Sequence, residues 1–270
     1  MHLHCQVYGH GQPLIILHGL LGSLRNWHSI SEKLADRFQV IAVDLPNHGR
    51  SPHTAHMDYL SMAADIAELM QAHRLSRAHV MGHSMGGKVA MQMALLHAEL
   101  VDRLIVLDIA PRAYSRRLDR IFAALLALDP KGFQTRKELE DTLAGPIPDL
   151  TTRQFLLTNL THDPAGGFRW RIGLNEIHHN SSHLVKALTE GTPFQGPTLF
   201  LRGEQSDFLL ETDMDLIRRW FPQAKLQAIP HSRHLLHTEN PEALLKAVLT
   251  FAACPAERKS CHGMDESSAP

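Results

Sequence analysis

Ser84 lies in the run Gly82-His83-Ser84-Met85-Gly86-Gly87, which fits the G-x-S-x-G nucleophile elbow. In such an elbow the serine sits on a sharp strand-to-helix turn, flanked by residues with almost no side chain. A serine hydroxyl becomes a useful nucleophile only beside a base. His231, His234 and His237 all lie in His231-Ser232-Arg233-His234-Leu235-Leu236-His237, between the last apolar run and the last helical stretch. A histidine there can reach over a sheet edge to Ser84, take the hydroxyl proton and return it to a leaving group. Spacing alone does not choose among the three. Acyl transfer also needs donors for the oxyanion of its tetrahedral intermediate, each contributing about 3–4 kcal/mol. Those donors are the backbone amides of Met85, next to the nucleophile, and of Leu20, in the glycine-rich loop His18-Gly19-Leu20-Leu21-Gly22-Ser23. An acid must then hold the histidine. Asp108 directly follows the apolar run Leu104–Leu107, so its carboxylate would emerge at a sheet edge. Asp207 satisfies the same chain order, serine, acid, histidine, and is the competitor.

These residues need strands that end together. Leu14–Leu17, Val40–Val43, Leu104–Leu107 and Thr198–Leu201 are short runs of continuous apolarity, as expected of strands buried on both faces of a parallel sheet, and Ala78-His79-Val80-Met81 before the elbow reads as a short buried strand. Residues 2–8 read as an edge strand, and Leu226–Ile229, more mixed, lies nearer the other edge. Helical stretches alternate with the runs: Asn26–Asp36, Asp58–His73, Met85–His97, a helix opened by a Thr212/Asp215 capping box, and one capped by Asn240-Pro241-Glu242. Strands alternating with helices imply an α/β fold with right-handed crossovers.

From Arg112 to about Glu190 the pattern changes to helices without a strand. The candidates are an amphipathic helix carrying Leu118, Ile121, Phe122 and Leu125, then Lys137–Leu143, Thr152–Leu160, Trp170–His178 and Ser182–Leu188. An insertion there reads as a cap over the sheet edge where ligands bind in open α/β sheets. The expected organisation is a core of residues 1–111 and 191–253, a helical cap of 112–190, and a polar, disordered tail of 254–270. His18, His83, Phe122 and Trp170 are candidate pocket residues, with Asp44 and His48 bracing the loop near the elbow.

Composition narrows the class. Hydrophobic residues at 44%, charged residues at 20% and a net charge of −1 describe an ordinary globular chain and offer no basic block for nucleic acid. No apolar run reaches membrane-spanning length. Three cysteines and no leader-like N-terminus suit a reducing cytoplasm. The 20 histidines are scattered without metal-ligand spacing and are expected mostly at the surface.

Taken in order, His18-Gly19, Asp44-Leu45-Pro46-Asn47-His48-Gly49-Arg50-Ser51, the elbow, and His234-Leu235-Leu236-His237-Thr238-Glu239-Asn240-Pro241-Glu242 resemble an α/β-hydrolase of the esterase type over roughly residues 2–252. The resemblance implies His234 as the base, since the family histidine precedes such a Leu-Leu-His segment. Leu107-Asp108-Ile109-Ala110-Pro111 and Asn47-His48-Gly49 further resemble the YbfF-type esterases, which act on acyl esters and acyl-CoA thioesters. In the wider family a Gly-x-x-Asp follows the strand that ends here at Leu201. This chain departs from that pattern, with Ser206 at the aspartate position and Asp207 one residue late. The YbfF type is similar, with the acid after the earlier strand, which implies Asp108 as the acid and Ser206 as its partner. The expectation is a serine hydrolase acting on a small-molecule ester or thioester through an acyl-serine, with no metal, organic cofactor or nucleic-acid partner. C–C hydrolases, cofactor-free haloperoxidases and ligand-binding receptors share the fold and are the alternatives.

Overall fold

A computed structural model describes residues 1–116 and 118–253. Seven strands form the main sheet: β1 (Cys5–Tyr8), β2 (Gln12–Leu17), β3 (Phe38–Val43), β4 (Ala78–His83), β5 (Val101–Leu107), then β8 (Thr198–Gly203) and β9 (Ala224–Ile229). Their spatial order is β1-β3-β2-β4-β5-β8-β9; β1 is antiparallel to β3 and the remaining pairs are parallel. The apolar runs are continuous because alternate residues serve opposite faces. Ile15, Leu17, Val80, Leu104 and Val106 pack with α2 (Tyr59–Ala72) and α3 (Met85–Leu96). Leu14, Ile16, Met81, Ile105 and Leu107 pack with α1 (His28–Leu34) and α11 (Pro241–Ala253).

Topology and register place the site. The chain leaves β2 for β3 on one side and returns to β4 on the other, so the loops after β2 and β4 lie side by side, where open α/β sheets bind ligands. In register, Leu17 faces Gly82, His83 faces Leu107, and Leu107 faces Leu201. β2, β4 and β5 therefore end within one residue of one level, and β8 runs two residues further.

Between β5 and β8 lie α4 (Asp119–Leu126), α5 (Arg136–Thr142), α6 (Leu150–Leu157), β6 (Leu160–His162), β7 (Phe168–Trp170), α7 (Leu174–His179) and α8 (Ser181–Leu184). The pairing of β6 with β7 corrects the strand-free reading of this insertion. Gly166 and Gly167, at φ +106° and +71°, make the turn, and the Asp163 amide donates to the Gly167 carbonyl. The helix expected from Trp170 to His178 consequently starts only at Leu174.

Two other helices differ from expectation. Asn26–Asp36 begins as a 3-10 turn, Leu24–Trp27, before α1. The helix before Pro222, α9 (Met214–Trp220), is preceded by a 3-10 turn over Glu211–Asp213, and Asp213 accepts from the Leu210 amide where a Thr212/Asp215 box was expected. α10 (Leu236–Glu239) is short, and Asn240 caps α11 by accepting from the Ala243 amide. The expected disordered tail, 254–270, lies outside the described residues, as do Cys254 and Cys261. Among the described residues no helix is long and apolar enough to cross a membrane.

Candidate active site

β4 leads directly into Ser84, whose backbone adopts φ +52°, ψ −117°, a conformation rare for a residue with a side chain. Its neighbours explain how the turn closes: a Cβ on Gly82 would collide with the Gly86 carbonyl, and one on Gly86 would meet the Leu17 and His18 carbonyls at 2.5 Å. The Ser84 amide donates to the Leu107 carbonyl at 2.9 Å, tying the elbow to the neighbouring strand. α3 begins at Met85, so the first amides of that helix point toward the space above Ser84 without an intrahelical acceptor.

His234 Nε2 lies 3.0 Å from Ser84 Oγ, and His234 Nδ1 lies 2.8 Å from Asp108 Oδ2. Asp108 is fully buried at the end of β5 and itself takes a positive φ, +51°. Its carboxylate is saturated: Oδ1 accepts from the Gly203 amide at 2.9 Å, and Oδ2 accepts from the Ser206 hydroxyl as well as from His234. Asp207 is exposed, so the acid facing His234 Nδ1 is the one after β5. Of the two other histidines, His231 is exposed, whereas His237 is buried and stacked on Trp27 at 4.5 Å.

The loop after β2 is braced by two buried histidines. His18 Nδ1 donates to the Gly19 carbonyl and its Nε2 accepts from the Leu45 amide at 3.0 Å. His48 Nδ1 donates to the Pro46 carbonyl and its Nε2 accepts from the Leu21 amide at 3.1 Å. Both rings are thereby used as neutral imidazoles. Burial pushes His18 down to about 4, against the Gly19 hydrogen bond; burial and then the His18 charge push His48 down to about 3. Asp44 accepts from the Leu24 amide at 2.8 Å and from the Arg50 amide at 2.9 Å, so it too holds this loop. A Cβ on Gly19 would lie 2.8 Å from His83 Nδ1 and 3.3 Å from Ser84 Cβ, so only glycine lets this loop lie against the elbow.

Above these groups opens a cavity of about 340 Å³, within the roughly 300–1,000 Å³ usual for small-molecule sites. Ser84, His234, Leu20 and Met85 line it together with Phe122, Phe155 and Leu184 from the insertion.

The chain matches the α/β-hydrolase fold family over residues 12–241. It belongs to that family. It is 33% identical to an esterase, YbfF, of Escherichia coli, covering 88% of this chain and 92% of that one. It is 36% identical to an sn-1-specific diacylglycerol lipase, ABHD11, of Danio rerio, covering 90% and 79%. A solved marine microorganism esterase superposes with a TM-score of 0.90 at 42% identity, covering 92% of this chain and 98% of that one. The esterase-type resemblance drawn from the motifs is thus borne out.

Of the residues singled out in sequence, this hydrolase brings Ser84, His234, Asp108 and Ser206 into one hydrogen-bonded chain, with Leu20 and Met85 beside it and His18, His83 and Phe122 on the cavity wall. Trp170 is the correction. It belongs to β7 and does not line the cavity, because the hairpin holds it away and packs it against the core. His83 does more than line the wall, since its Nε2 donates to the His234 carbonyl at 2.7 Å and fixes that loop. Burial lowers the His83 pKa well below the ordinary value, with the charges of His234 and His237 acting the same way.

Three residues went unnoticed in the sequence. Phe208 stacks on the His234 ring at 3.8 Å. Tyr114 donates its hydroxyl to the Phe208 carbonyl at 2.6 Å and accepts from the Ala110 amide. Lys88, buried on α3, donates to the Arg112 and Lys186 carbonyls at 2.8 and 2.6 Å, the two ends of the insertion. Burial pulls the Lys88 ammonium down to about 7, with the Arg112 charge assisting. A lysine one turn after a nucleophile, on a helix otherwise buried, is a sequence signal that could have been followed.

Proposed function

We propose that this hydrolase cleaves carboxylic esters or acyl thioesters of short to medium acyl chain through an acyl-serine intermediate. The observation that carries the reading is the unbroken chain Ser84–His234–Asp108 opening into an apolar cavity. In the first half-reaction His234 Nε2 takes the Ser84 proton while Oγ attacks the carbonyl carbon. The carbonyl oxygen, now an oxyanion, sits between the Leu20 and Met85 amides. The intermediate collapses, the carbon–oxygen or carbon–sulfur bond breaks, and the leaving alkoxide or thiolate receives the proton from His234. Water, deprotonated by His234, then releases the acid from Ser84. Asp108 holds the Nδ1–H tautomer and stabilises the imidazolium, and Ser206 and Gly203 hold Asp108 in turn. The insertion acts as a lid whose apolar wall receives the acyl chain. Activity resides in the chain's own side chains and amides.

The test is a fluorophosphonate probe together with a graded panel of p-nitrophenyl esters and acyl-CoAs. The native chain should be labelled and should turn over, and Ser84→Ala should lose both. Rapid hydrolysis by Ser84→Ala would sink the acyl-serine mechanism. Ligand binding without turnover by the native chain would instead identify a receptor.

A further inference from the structure

We propose a binding site for a borderline divalent cation, with Zn²⁺ as its representative, formed by His56, Asp58 and His183. One ring nitrogen from each histidine and one carboxylate oxygen all lie within 4.8 Å of one another. His56 Nε2 is 3.0 Å from Asp58 Oδ2, and the two imidazole rings are 6.1 Å apart at 69°. The sequence hides this set, because His183 is far along the chain from the other two.

The arrangement is pre-set by bonds that do not use the ligand atoms. The Met57 amide donates to Asn180 Oδ1 at 3.1 Å, and Asn180 Nδ2 donates to the Ala55 carbonyl at 2.8 Å. The Tyr59 hydroxyl donates to the Leu184 carbonyl at 2.5 Å. These three bonds bracket the site on both segments: 55–59 before and into α2, and 180–184 into α8. Asp58 is further oriented by the Ser61 amide, which occupies Oδ1 at 2.8 Å and leaves Oδ2 facing the histidines. Tetrahedral zinc with ligands at about 2.0–2.1 Å separates its donor atoms by about 3.3 Å, a separation the partly exposed rings reach by side-chain rotation. Two imidazoles and one carboxylate suit Zn²⁺, Co²⁺, Ni²⁺ or Cu²⁺, whereas Mg²⁺ and Ca²⁺ prefer all-oxygen shells. Water completes the shell from the solvent side.

The location gives the cation a structural consequence. It would bridge the start of α2 to α8, and the adjacent Tyr59 and Leu184 both line the cavity. Bound zinc clasps the insertion onto the sheet without touching Ser84 or His234.

The experiment titrates Zn²⁺ into the metal-stripped full chain at pH 7.5 against a chromogenic chelator, with Mg²⁺ as comparator and thermal unfolding as a second readout. The native chain should retain one more equivalent of zinc than either His56→Ala or His183→Ala. At zinc 100-fold above Kd its Tm should rise by roughly 5 °C or more, through preferential binding to the folded state. Asp58→Asn, which still caps α2, should fold normally in zinc-free buffer and bind zinc more weakly. Mg²⁺ should move nothing. A native chain that retains no zinc, or a His56→Ala/His183→Ala double variant that retains as much as the native chain, overturns the proposal.

Discussion

Asp108 carries the most demanding single position in the chain. A buried aspartate at φ +51° is strained, and it is tolerated because Gly203, Ser206 and His234 together take up its carboxylate and its own amide is bound by Leu201. Removing the charge while keeping the shape tests its role. Asp108→Asn should lower kcat by about 10³–10⁴, as when a triad histidine is left in the wrong tautomer. Ser206→Ala removes one hydrogen bond to the same oxygen and should cost about tenfold. Asp207→Asn, on an exposed side chain, should cost far less than either. A crippled Asp207→Asn beside a mild Asp108→Asn would reverse the assignment. The acid was legible because a strand's end can be read from its apolar run. Phe208 was not, because its place over the His234 ring depends on how residues 203–210 turn back after β8, and no periodicity reports that path.

At the scale of elements, the strands were readable because both faces of each are covered, and the cap Asn240 was readable because capping is local chemistry. The β6–β7 hairpin escaped because three-residue strands carry too little alternation, although the Gly166-Gly167 turn between them is a hairpin signal. The attachment of the insertion was also invisible, since Lys88 binds carbonyls whose positions only the fold supplies. That attachment is testable. Lys88→Met leaves two carbonyls without their donor, at about 1–3 kcal/mol each, but also removes a costly buried ammonium, so the two effects oppose in global stability. The local effect has one sign: amide hydrogen exchange around residues 112–116 and 184–188 should accelerate. Unchanged protection there would mean that Lys88 does not hold the insertion. On the same element set, Phe122 is 1% exposed and faces the cavity. Phe122→Ala should shift chain-length preference more than it changes turnover of the acetate ester. Equal losses on every substrate, tracking a fall in stability, would mark it as packing alone.

Across the whole molecule, the histidines make an acid-sensitive frame around the site. His18 and His48 hold the loop after β2, and His237 packs between Trp27 and His83. Burial lowers His237 to about 4, with the His234 charge assisting, alongside about 4 for His18 and about 3 for His48. Each folded-state pKa lies below the unfolded value of about 6.5, so the unfolded chain binds protons first as the pH falls. Their contribution to stability is therefore complete above about pH 7 and is lost progressively from about 6.5 down toward 4. The geometry agrees in sign, since a protonated Nε2 on His18 or His48 would point a hydrogen at the Leu45 or Leu21 amide. At pH 5 the loss is about 2 kcal/mol for each of the three histidines, at 1.36 kcal/mol per pH unit. That total is a large part of the roughly 5–15 kcal/mol typical of a folded domain. Burial lowers His79 to about 4 and His83 well below 6.5 as well, so urea unfolding at pH 7.5, 6 and 5 should show a steep fall below pH 6.5 with an unchanged m-value, corresponding to about five protons taken up on unfolding. His237→Phe keeps the stack on Trp27 and should remove about one of those protons from the slope. A stability that stays flat between pH 7.5 and 5, or a slope that His237→Phe leaves intact, would show that these rings do not set the molecule's acid limit.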